Sequence, residues 1–279
     1  MPKPSVLILR APGTNCDLDT AFAFEQAGAT SERVHINRLL ESPTMLERFQ
    51  ILCIPGGFSF GDDVAAGRIL ANQLRGHLSD LLRSFRDAGK LILGICNGFQ
   101  VLIKSGVLLE GDAHGAPATL TWNESGRYND SWVRLGVHRG ADPGEPGPAG
   151  TGIPGTEKCI FLRGIDRMEL PVAHAEGRFV ASDTTTLDQL EAAGQLCLRY
   201  LRRDGAFSTE TLPYPENPNG AQRNVAGVCD TTGQVFGLMP HPERYLEPTH
   251  HPRWTRGDAH APGDGLAIFT NAVRYAEKL

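Results

Sequence analysis

The chain has 279 residues, of which 41% are hydrophobic and 21% charged, and its formal net charge is −5. This length and apolar content allow one large α/β domain with its own core, which excludes global disorder. The acidic balance argues against a nucleic-acid-binding protein, which would carry a basic patch. No apolar run approaches the roughly 18 residues of a membrane span, and the first residues lack the features of a signal peptide. We therefore expect a cytoplasmic protein without nucleic-acid or membrane partners.

The cysteines are scattered along the chain, with no Cys-x-x-Cys pair. This spacing predicts neither a zinc site nor a disulfide framework, and it fits a reducing compartment. We expect no bound metal. The six positions are Cys16, Cys53, Cys96, Cys159, Cys197 and Cys229.

The first third of the chain alternates predicted strands with predicted helices. Apolar runs at 5–9, 33–36 and 51–54 predict strands, and apolar residues at helical spacing within 18–25 predict a helix that turns them toward the sheet. Recurring Leu and Phe within 68–87 predict one or two further helices. This alternation predicts an α/β fold with an open, mostly parallel, doubly wound sheet, whose site lies at the carboxyl ends of the strands.

After about residue 115 the pattern changes to shorter, β-like pieces, which predict a smaller β-rich portion. A hairpin is predicted at 225–239 and a closing helix at 266–279. We expect a single domain over 1–279, with surface insertions near 140–157 and 247–265. The other β-like pieces lie at 118–122, 132–138, 159–162 and 172–180.

The second insertion contains three histidines, His250, His251 and His260. No carboxylate or cysteine stands at ligand spacing from them. We therefore expect their side chains to face solvent.

The apolar run at 91–95 ends in Gly94-x-Cys96-x-Gly98, and a predicted helix follows directly. Strand, sharp turn and helix form the nucleophile-elbow pattern, here with sulfur in place of the serine oxygen. Glycines are required because side chains at such a strained turn would collide with neighbouring backbone. The helix aims free N–H groups at the sulfur and favours the thiolate. A buried, inert cysteine is the commoner alternative, but the paired glycines favour a nucleophile.

A thiolate nucleophile needs a partner that takes up and returns its proton. His241 follows a predicted strand, and Glu243 stands two residues later, so in an extended backbone both side chains point the same way. Glu243 can then orient the imidazole and stabilise its cation. His-x-Glu alone is a weak signal, and the upstream Cys96 makes it a strong one.

Acyl transfer also needs backbone donors for the oxyanion of its tetrahedral intermediate. The N–H of Asn97, directly after the nucleophile, is one candidate. The loop that contains Gly56 and Gly57 follows the predicted strand 51–54 and offers the N–H of Gly57 as a second. A plain tight turn is the alternative for these glycines.

Together, residues 94–100, 55–57 and 241–243 resemble the class I, or triad, glutamine amidotransferases. Longer motifs narrow the resemblance to the glutaminase-subunit family of phosphoribosylformylglycinamidine synthases, and the similarity runs from Val6 to the final helix. This family usually has Ser where the chain has Ala221. The longer motifs lie at 11–17, 56–62, 96–100, 217–220 and 239–244.

The resemblance implies a flavodoxin-like fold and a defined chemistry. Cys96 would attack the side-chain amide of glutamine, His241 would protonate the departing ammonia, and water would release glutamate from the thioester. Ammonia would pass to a synthetase subunit that uses ATP and Mg, and the resemblance leaves room for a small accessory subunit. This chain itself is expected to hold no cofactor, since it has no Gly-x-x-x-x-Gly-Lys-Ser/Thr loop.

The resemblance also implies residues that hold glutamine: Gly56, Gln100, His174 and Glu176. Gln100 could instead be a packing residue behind the elbow. Two other functions remain open at this point. A cysteine peptidase or other thiol hydrolase of the same fold would cleave peptides, and a non-catalytic scaffold subunit would release no ammonia from glutamine.

Overall fold

The computed structural model describes residues 3–111, 115–138, 158–257 and 259–279. The helices are α1 (Asp17–Gln26), α2 (Ile36–Glu41), α3 (Arg68–His77), α4 (Ser79–Asp87), α5 (Asn97–Ser105), α6 (Thr184–Ala192) and α7 (Leu266–Ala276). The strands are β1 (Ser5–Arg10), β2 (Thr30–His35), β3 (Ile51–Ile54), β4 (Leu91–Ile95), β5 (Ala118–Thr121), β6 (Asn129–Val137), β7 (Arg167–His174), β8 (Arg178–Ala181), β9 (Leu198–Tyr200), β10 (Val225–Cys229) and β11 (Val235–Leu238).

One sheet of nine strands runs through the described part of the chain in the order β2-β1-β3-β4-β11-β10-β9-β6-β7. The first five strands are parallel to their neighbours, and from β11 onward each pair is antiparallel. This confirms the predicted α/β fold with a parallel central sheet. Most of the predicted β-rich portion extends this same sheet, and only β5 and β8 form a separate antiparallel pair.

The central parallel strands β3, β4 and β11 are apolar along their length because both of their faces are covered. Every residue of β3 and β4 is buried, and α5 packs against β3, β4 and β11. In register, Ile54 of β3 lies beside Gly94 of β4, and Ile95 lies beside Leu238 of β11. The carboxyl ends of three neighbouring strands therefore deliver the loop after β3, the elbow after β4 and the turn after β11 to one edge.

Helix α1 is present, but it is rotated from the predicted orientation. Leu18 and Phe22, which the helical spacing assigned to the sheet, are 62% and 45% exposed, whereas Ala21 is buried as expected. Phe24 provides the main contact instead, because its ring packs edge-on against Phe269 of α7 with centroids 4.9 Å apart. Packing against a second helix, which local periodicity does not report, sets the buried face.

Two further expectations from the sequence are wrong. The β-like piece at 159–162 is a buried turn of 3-10 helix, Ile160–Leu162. His251 is buried rather than solvent-facing, because its ring packs between Trp132 and Tyr245 at centroid distances of 4.7 and 5.4 Å. His250 and His260 are exposed, as expected.

The insertion predicted near 140–157 lies outside the described residues. The organisation of the chain as one domain stays a prediction, although the buried side chains of the described ranges form one contiguous hydrophobic cluster. Across these ranges, the helices are too short or too polar to cross a membrane.

Candidate active site

Cys96 stands at the junction of β4 and α5 with φ of +50°, a conformation that side-chain-bearing residues rarely adopt. The two flanking glycines explain how the chain tolerates this turn. A Cβ at Gly98 would lie 1.8 Å from the carbonyl oxygen of Ile54, and one at Gly94 would lie 2.6 Å from the carbonyl oxygen of Gly98. The predicted elbow is therefore present, and its helix packs against the neighbouring strand too closely for any other residue.

His241 and Glu243 are joined directly. Nδ1 of His241 lies 2.6 Å from Oε1 of Glu243, whose side chain is fully buried. The backbone is not extended, as the sequence argument assumed, because Pro242–Arg244 form a turn of 3-10 helix. The N–H of His241 donates to the carbonyl of Pro171 at 2.8 Å, which fixes the start of this turn against β7.

The imidazole of His241 also faces sulfur. Burial opposes its charged form, but the carboxylate of Glu243, the charge of Cys96 and hydrogen bonds to Cys16 and Cys96 together raise the pKa of His241 well above its usual value. A buried imidazolium that contacts a carboxylate and faces a cysteine sulfur is the arrangement of a cysteine–histidine–acid triad. The sulfur of Cys96 lies 3.7 Å from the carbonyl oxygen of Ala173 on its other side.

Cys16 is a neighbour of the triad to which the sequence argument gave no role. It precedes α1, and its sulfur lies 3.2 Å from Oδ1 of Asn15 and 3.6 Å from Nη2 of Arg244. A Cβ at Gly56 would lie 2.7 Å from Cε1 of His241 and 3.2 Å from this sulfur. Gly56 therefore gives the imidazole room to lie against Cys16. Residue 16 could not be linked to residue 241 without the fold, although both lie in motifs that carried the resemblance.

The two predicted oxyanion donors lie beside the sulfur. Asn97 opens α5 directly after Cys96, and Gly57 lines the same cavities as Cys96. Gly57 has φ of +139°, and a Cβ there would lie 2.7 Å from the backbone nitrogen of Asn15. Within the described ranges, the N–H groups of Gly57 and Asn97 donate to no protein acceptor. Both are therefore free to bind an oxyanion.

The side chain of Asn97 secures the adjoining loop. Its oxygen accepts from the N–H of Ser59 at 3.2 Å, and its amide nitrogen donates to Asp62 at 2.9 Å. This amide also donates to Oε1 of Gln100 at 3.0 Å. The loop that carries Gly57 is thus tied to the helix that carries the nucleophile.

Two cavities meet at Cys96, which lines both together with Gly57, Phe58 and Ala173. The larger, of about 360 Å³, contains the triad histidine. The smaller, of about 260 Å³, contains three of the residues predicted to hold glutamine, namely Gln100, His174 and Glu176. Gly56, the fourth, is not part of either lining.

The polar atoms of Gln100 are occupied by the protein. Its amide nitrogen donates to the carbonyl of Glu176, and its oxygen accepts from Asn97. The carboxylate of Glu176 accepts from the N–H of Ala66 at 3.2 Å and lies 3.8 Å from Nζ of Lys104. These contacts favour a bracing role for Gln100, the alternative that the sequence left open.

His174 is buried at the wall of the smaller cavity. Its Nδ1 lies 3.1 Å from Oδ1 of Asn123, while its Nε2 has no partner among the described residues. Burial, with a smaller contribution from the charge of His241, lowers the pKa of His174 to about 3. The ring is therefore neutral, with Nδ1 donating to Asn123 and a lone pair on Nε2.

Cys16, His241 and Glu243 have ligand atoms within 4.8 Å of one another and could in principle hold a metal ion. However, Nδ1 of His241 and Oε1 of Glu243 are already bound to each other at 2.6 Å. This set is therefore committed to orienting the imidazole.

Comparison with known proteins agrees with this geometry. Residues 3–276 match the model of the CobB/CobQ-like glutamine amidotransferase domain family. The chain is 44% identical to the phosphoribosylformylglycinamidine synthase subunit PurQ of Dehalococcoides mccartyi, over 100% of both chains, and 37% identical to that of Methanococcus maripaludis, over 99% of this chain and 98% of the relative.

Among solved structures, a chain of PurLQS from Thermotoga maritima superposes with a TM-score of 0.68 at 28% identity, covering 98% of this chain and 99% of the other. The same edge of the sheet carries the elbow, the triad and the free backbone donors. The chain belongs to the CobB/CobQ-like glutamine amidotransferase family and, within it, to the PurQ subunits of phosphoribosylformylglycinamidine synthase, so it is the glutaminase component of that purine-biosynthetic enzyme.

Proposed function

We propose that Cys96, His241 and Glu243 hydrolyse the side-chain amide of glutamine to glutamate and ammonia. The observation that carries this assignment is the buried His241–Glu243 pair, 2.6 Å apart, whose imidazole lines the same cavity as a nucleophile held at an elbow. A scaffold subunit would have no need for the strained conformation of Cys96, which costs on the order of 1–3 kcal/mol.

The reaction proceeds in two halves. The sulfur of Cys96 attacks the carbonyl carbon of the amide, and the N–H groups of Gly57 and Asn97 donate hydrogen bonds to the developing oxyanion. His241 then donates its proton to the amide nitrogen, the carbon–nitrogen bond breaks and ammonia leaves. In the second half, His241 takes a proton from water and the resulting hydroxide attacks the thioester. Collapse of this intermediate expels the Cys96 thiolate and leaves the proton on His241, and the new carboxylic acid releases its own proton to solvent as glutamate departs. Glu243 orients the ring and stabilises its cation in both halves.

The smaller cavity is the proposed glutamine site. Glu176 supplies negative charge near the position of a substrate ammonium, and the lone pair on Nε2 of His174 supplies an acceptor. Gln100 holds the turn before Gly177 in place through its bond to the carbonyl of Glu176. We assign Gly56 to the support of His241.

The ammonia is proposed to pass to a synthetase subunit that binds ATP and Mg. The similar Thermotoga maritima chain belongs to an assembly described as PurLQS, which supports a synthetase partner and a small accessory subunit for this chain. No cofactor is assigned to this chain. The six free cysteines favour a reducing compartment such as the cytoplasm.

The test measures glutamate release by the chain with and without its synthetase subunit. Cys96→Ala should abolish glutamate release and glutamine-dependent synthesis, while the assembled complex should still use added ammonium salts. Cys197→Ala, which removes a buried sulfur before β9, is the matched control and should keep glutaminase activity. Loss of ammonia-dependent synthesis in Cys96→Ala would contradict the division of labour, and glutamate release by that variant would contradict the nucleophile.

A further inference from the structure

Three cysteines that are widely separated in the sequence have their sulfur atoms together in the structure. Cys159, Cys197 and Cys229 are buried, and their sulfur atoms lie within 4.8 Å of one another. The thiols of Cys197 and Cys229 donate to the carbonyls of Gly227 and Gly194 at 3.9 and 3.8 Å. Cys197 directly precedes β9, Cys229 ends β10, and Cys159 precedes the 3-10 turn Ile160–Leu162. None of the three belongs to the glutaminase site.

The backbone around the cluster is well ordered by hydrogen bonds. The N–H groups of Cys197 and Cys229 both donate to the carbonyl of Gln195 at 2.9 Å. On the third side, the N–H of Ile160 donates to the carbonyl of Gly233 at 3.0 Å, which fixes the segment that carries Cys159. The three sulfur atoms are therefore positioned by the fold and need no ion to bring them together.

We propose that Cys159, Cys197 and Cys229 form a three-coordinate site for one soft monovalent metal ion, Cu(I). A metal–sulfur bond is about 2.3 Å long, so three sulfurs around one ion lie about 4 Å apart. The observed separations require a contraction of less than about 1 Å. Sulfur ligands select thiophilic ions such as Cu(I), whereas structural zinc requires four ligands, and the described His, Cys, Asp and Glu residues add no fourth to this group.

Charge balance favours a monovalent ion. Binding of Cu(I) through one deprotonated and two neutral thiols leaves the site neutral, which limits the cost of burying the ion. The proton displaced from the deprotonated thiol passes to solvent, and no sulfur is oxidised.

A cavity is lined by residues that lie close to the cluster in the chain. A cavity of about 420 Å³ is lined by Gln195 and Asp230, the neighbours of the cluster residues, together with Ala193 and Thr232. Lys158 lies at the same end, where its Nζ donates to the carbonyl of Ala193 at 2.5 Å.

The test titrates Cu(I) under anaerobic conditions, against a chromophoric chelator, into a Cys16→Ala/Cys96→Ala chain that lacks the thiols of the active site. We expect one ion per chain, and X-ray absorption with three sulfur neighbours. Each single substitution in the cluster should weaken Cu(I) binding, namely Cys159→Ala, Cys197→Ala and Cys229→Ala. The loss should exceed the roughly 10–100-fold that results when a residue that only supports a metal ligand is replaced. Cys53→Ala, which removes a buried sulfur from β3 outside the cluster, should leave it unchanged.

Folding is checked separately, since each cluster substitution in the otherwise native chain should retain glutaminase activity. A variant that loses activity is replaced by the serine substitution at the same position. The proposal would be overturned if the chain bound no Cu(I), or if each of the three cluster variants still bound it with unchanged affinity. It would also be overturned if Cys53→Ala lost as much Cu(I) affinity as the cluster variants. None of these outcomes bears on the glutaminase function, because the two sites share no residue.

Discussion

Glu243→Gln tests how much the buried carboxylate contributes to catalysis. The carboxylate and the imidazolium of His241 are in contact at 2.6 Å, with charge centres about 4 Å apart, and such a pair interacts by about 4 kcal/mol at an effective dielectric of 20. The amide retains a hydrogen bond to Nδ1, worth about 1 kcal/mol. The remaining loss of about 3 kcal/mol predicts a glutaminase kcat lower by about two orders of magnitude.

The pH dependence gives an independent check. Burial alone lowers the pKa of His241, and the charge of Glu243 is the largest effect that raises it. Removing this charge lets the imidazolium lose its proton at lower pH. The alkaline limb of the kcat profile should therefore move to lower pH in Glu243→Gln.

The assay is glutamate release at saturating glutamine with the synthetase subunit present. Glu247→Gln makes the same change at an exposed position four residues downstream and serves as the control. If Glu243→Gln kept its kcat within about fivefold and its alkaline limb in place, Glu243 would have no part in stabilising the imidazolium.

Two further predictions concern stability, measured by urea unfolding. Because the pKa of His174 is about 3 when folded and 6.5 by its ordinary value, its stabilising effect is present above pH 6.5 and is lost as the pH falls toward 3. From pH 7 to pH 5 the free energy of unfolding should fall by about 2 kcal/mol through this histidine. His174→Gln should remove this loss, and the control substitution of the exposed His77, His77→Gln, should keep it. Equal losses in the two variants would refute the prediction. Gly98→Ala should destabilise the fold by more than about 3 kcal/mol, because the added Cβ would lie 1.8 Å from the carbonyl oxygen of Ile54. The control Gly76→Ala on α3, where a Cβ has nothing within 4 Å, should be neutral or stabilising by up to about 1 kcal/mol. Comparable urea midpoints for the two variants would contradict this prediction.

The nucleophile could be predicted from the sequence because its geometry is local. Gly94, Cys96 and Gly98 fall within five residues, and the glycine at 94 is required by the carbonyl of Gly98 in the same stretch, whereas the glycine at 98 is required by Ile54 of β3. The alternation of strands and helices then sufficed to bring Gly57 to the same edge, since parallel strands present their carboxyl ends together. The pairing of His241 with Glu243 was also predicted, although it is achieved by a 3-10 turn and not by an extended strand.

What the sequence could not predict depends on contacts between distant segments. Cys16 meets Arg244 across 228 positions, and no local pattern marks that contact. Phe22 illustrates the same limit, because apolar residues at helical spacing identify a candidate buried face but do not show which segment covers it, and Phe22 is exposed in the structure. Cys159, Cys197 and Cys229 come together only through the pairing of β9 with β10. Rules for the spacing of metal ligands along a sequence do not describe such a contact.

Backbone packing fixes the position of the nucleophile more directly than it fixes the position of the base. Cys96 and the loop of Gly57 follow the neighbouring strands β4 and β3, and Gly98 of α5 packs directly against the carbonyl of Ile54 at the end of β3. Any shift of α5 that moved the sulfur would press this helix into β3, so the separation of nucleophile and oxyanion donors is set by backbone packing. The base is held less directly, through a turn that follows β11 and a buried carboxylate. Substitutions around His241 should therefore change rates in graded steps, whereas substitutions of Gly94 or Gly98 should remove the fold and the activity together.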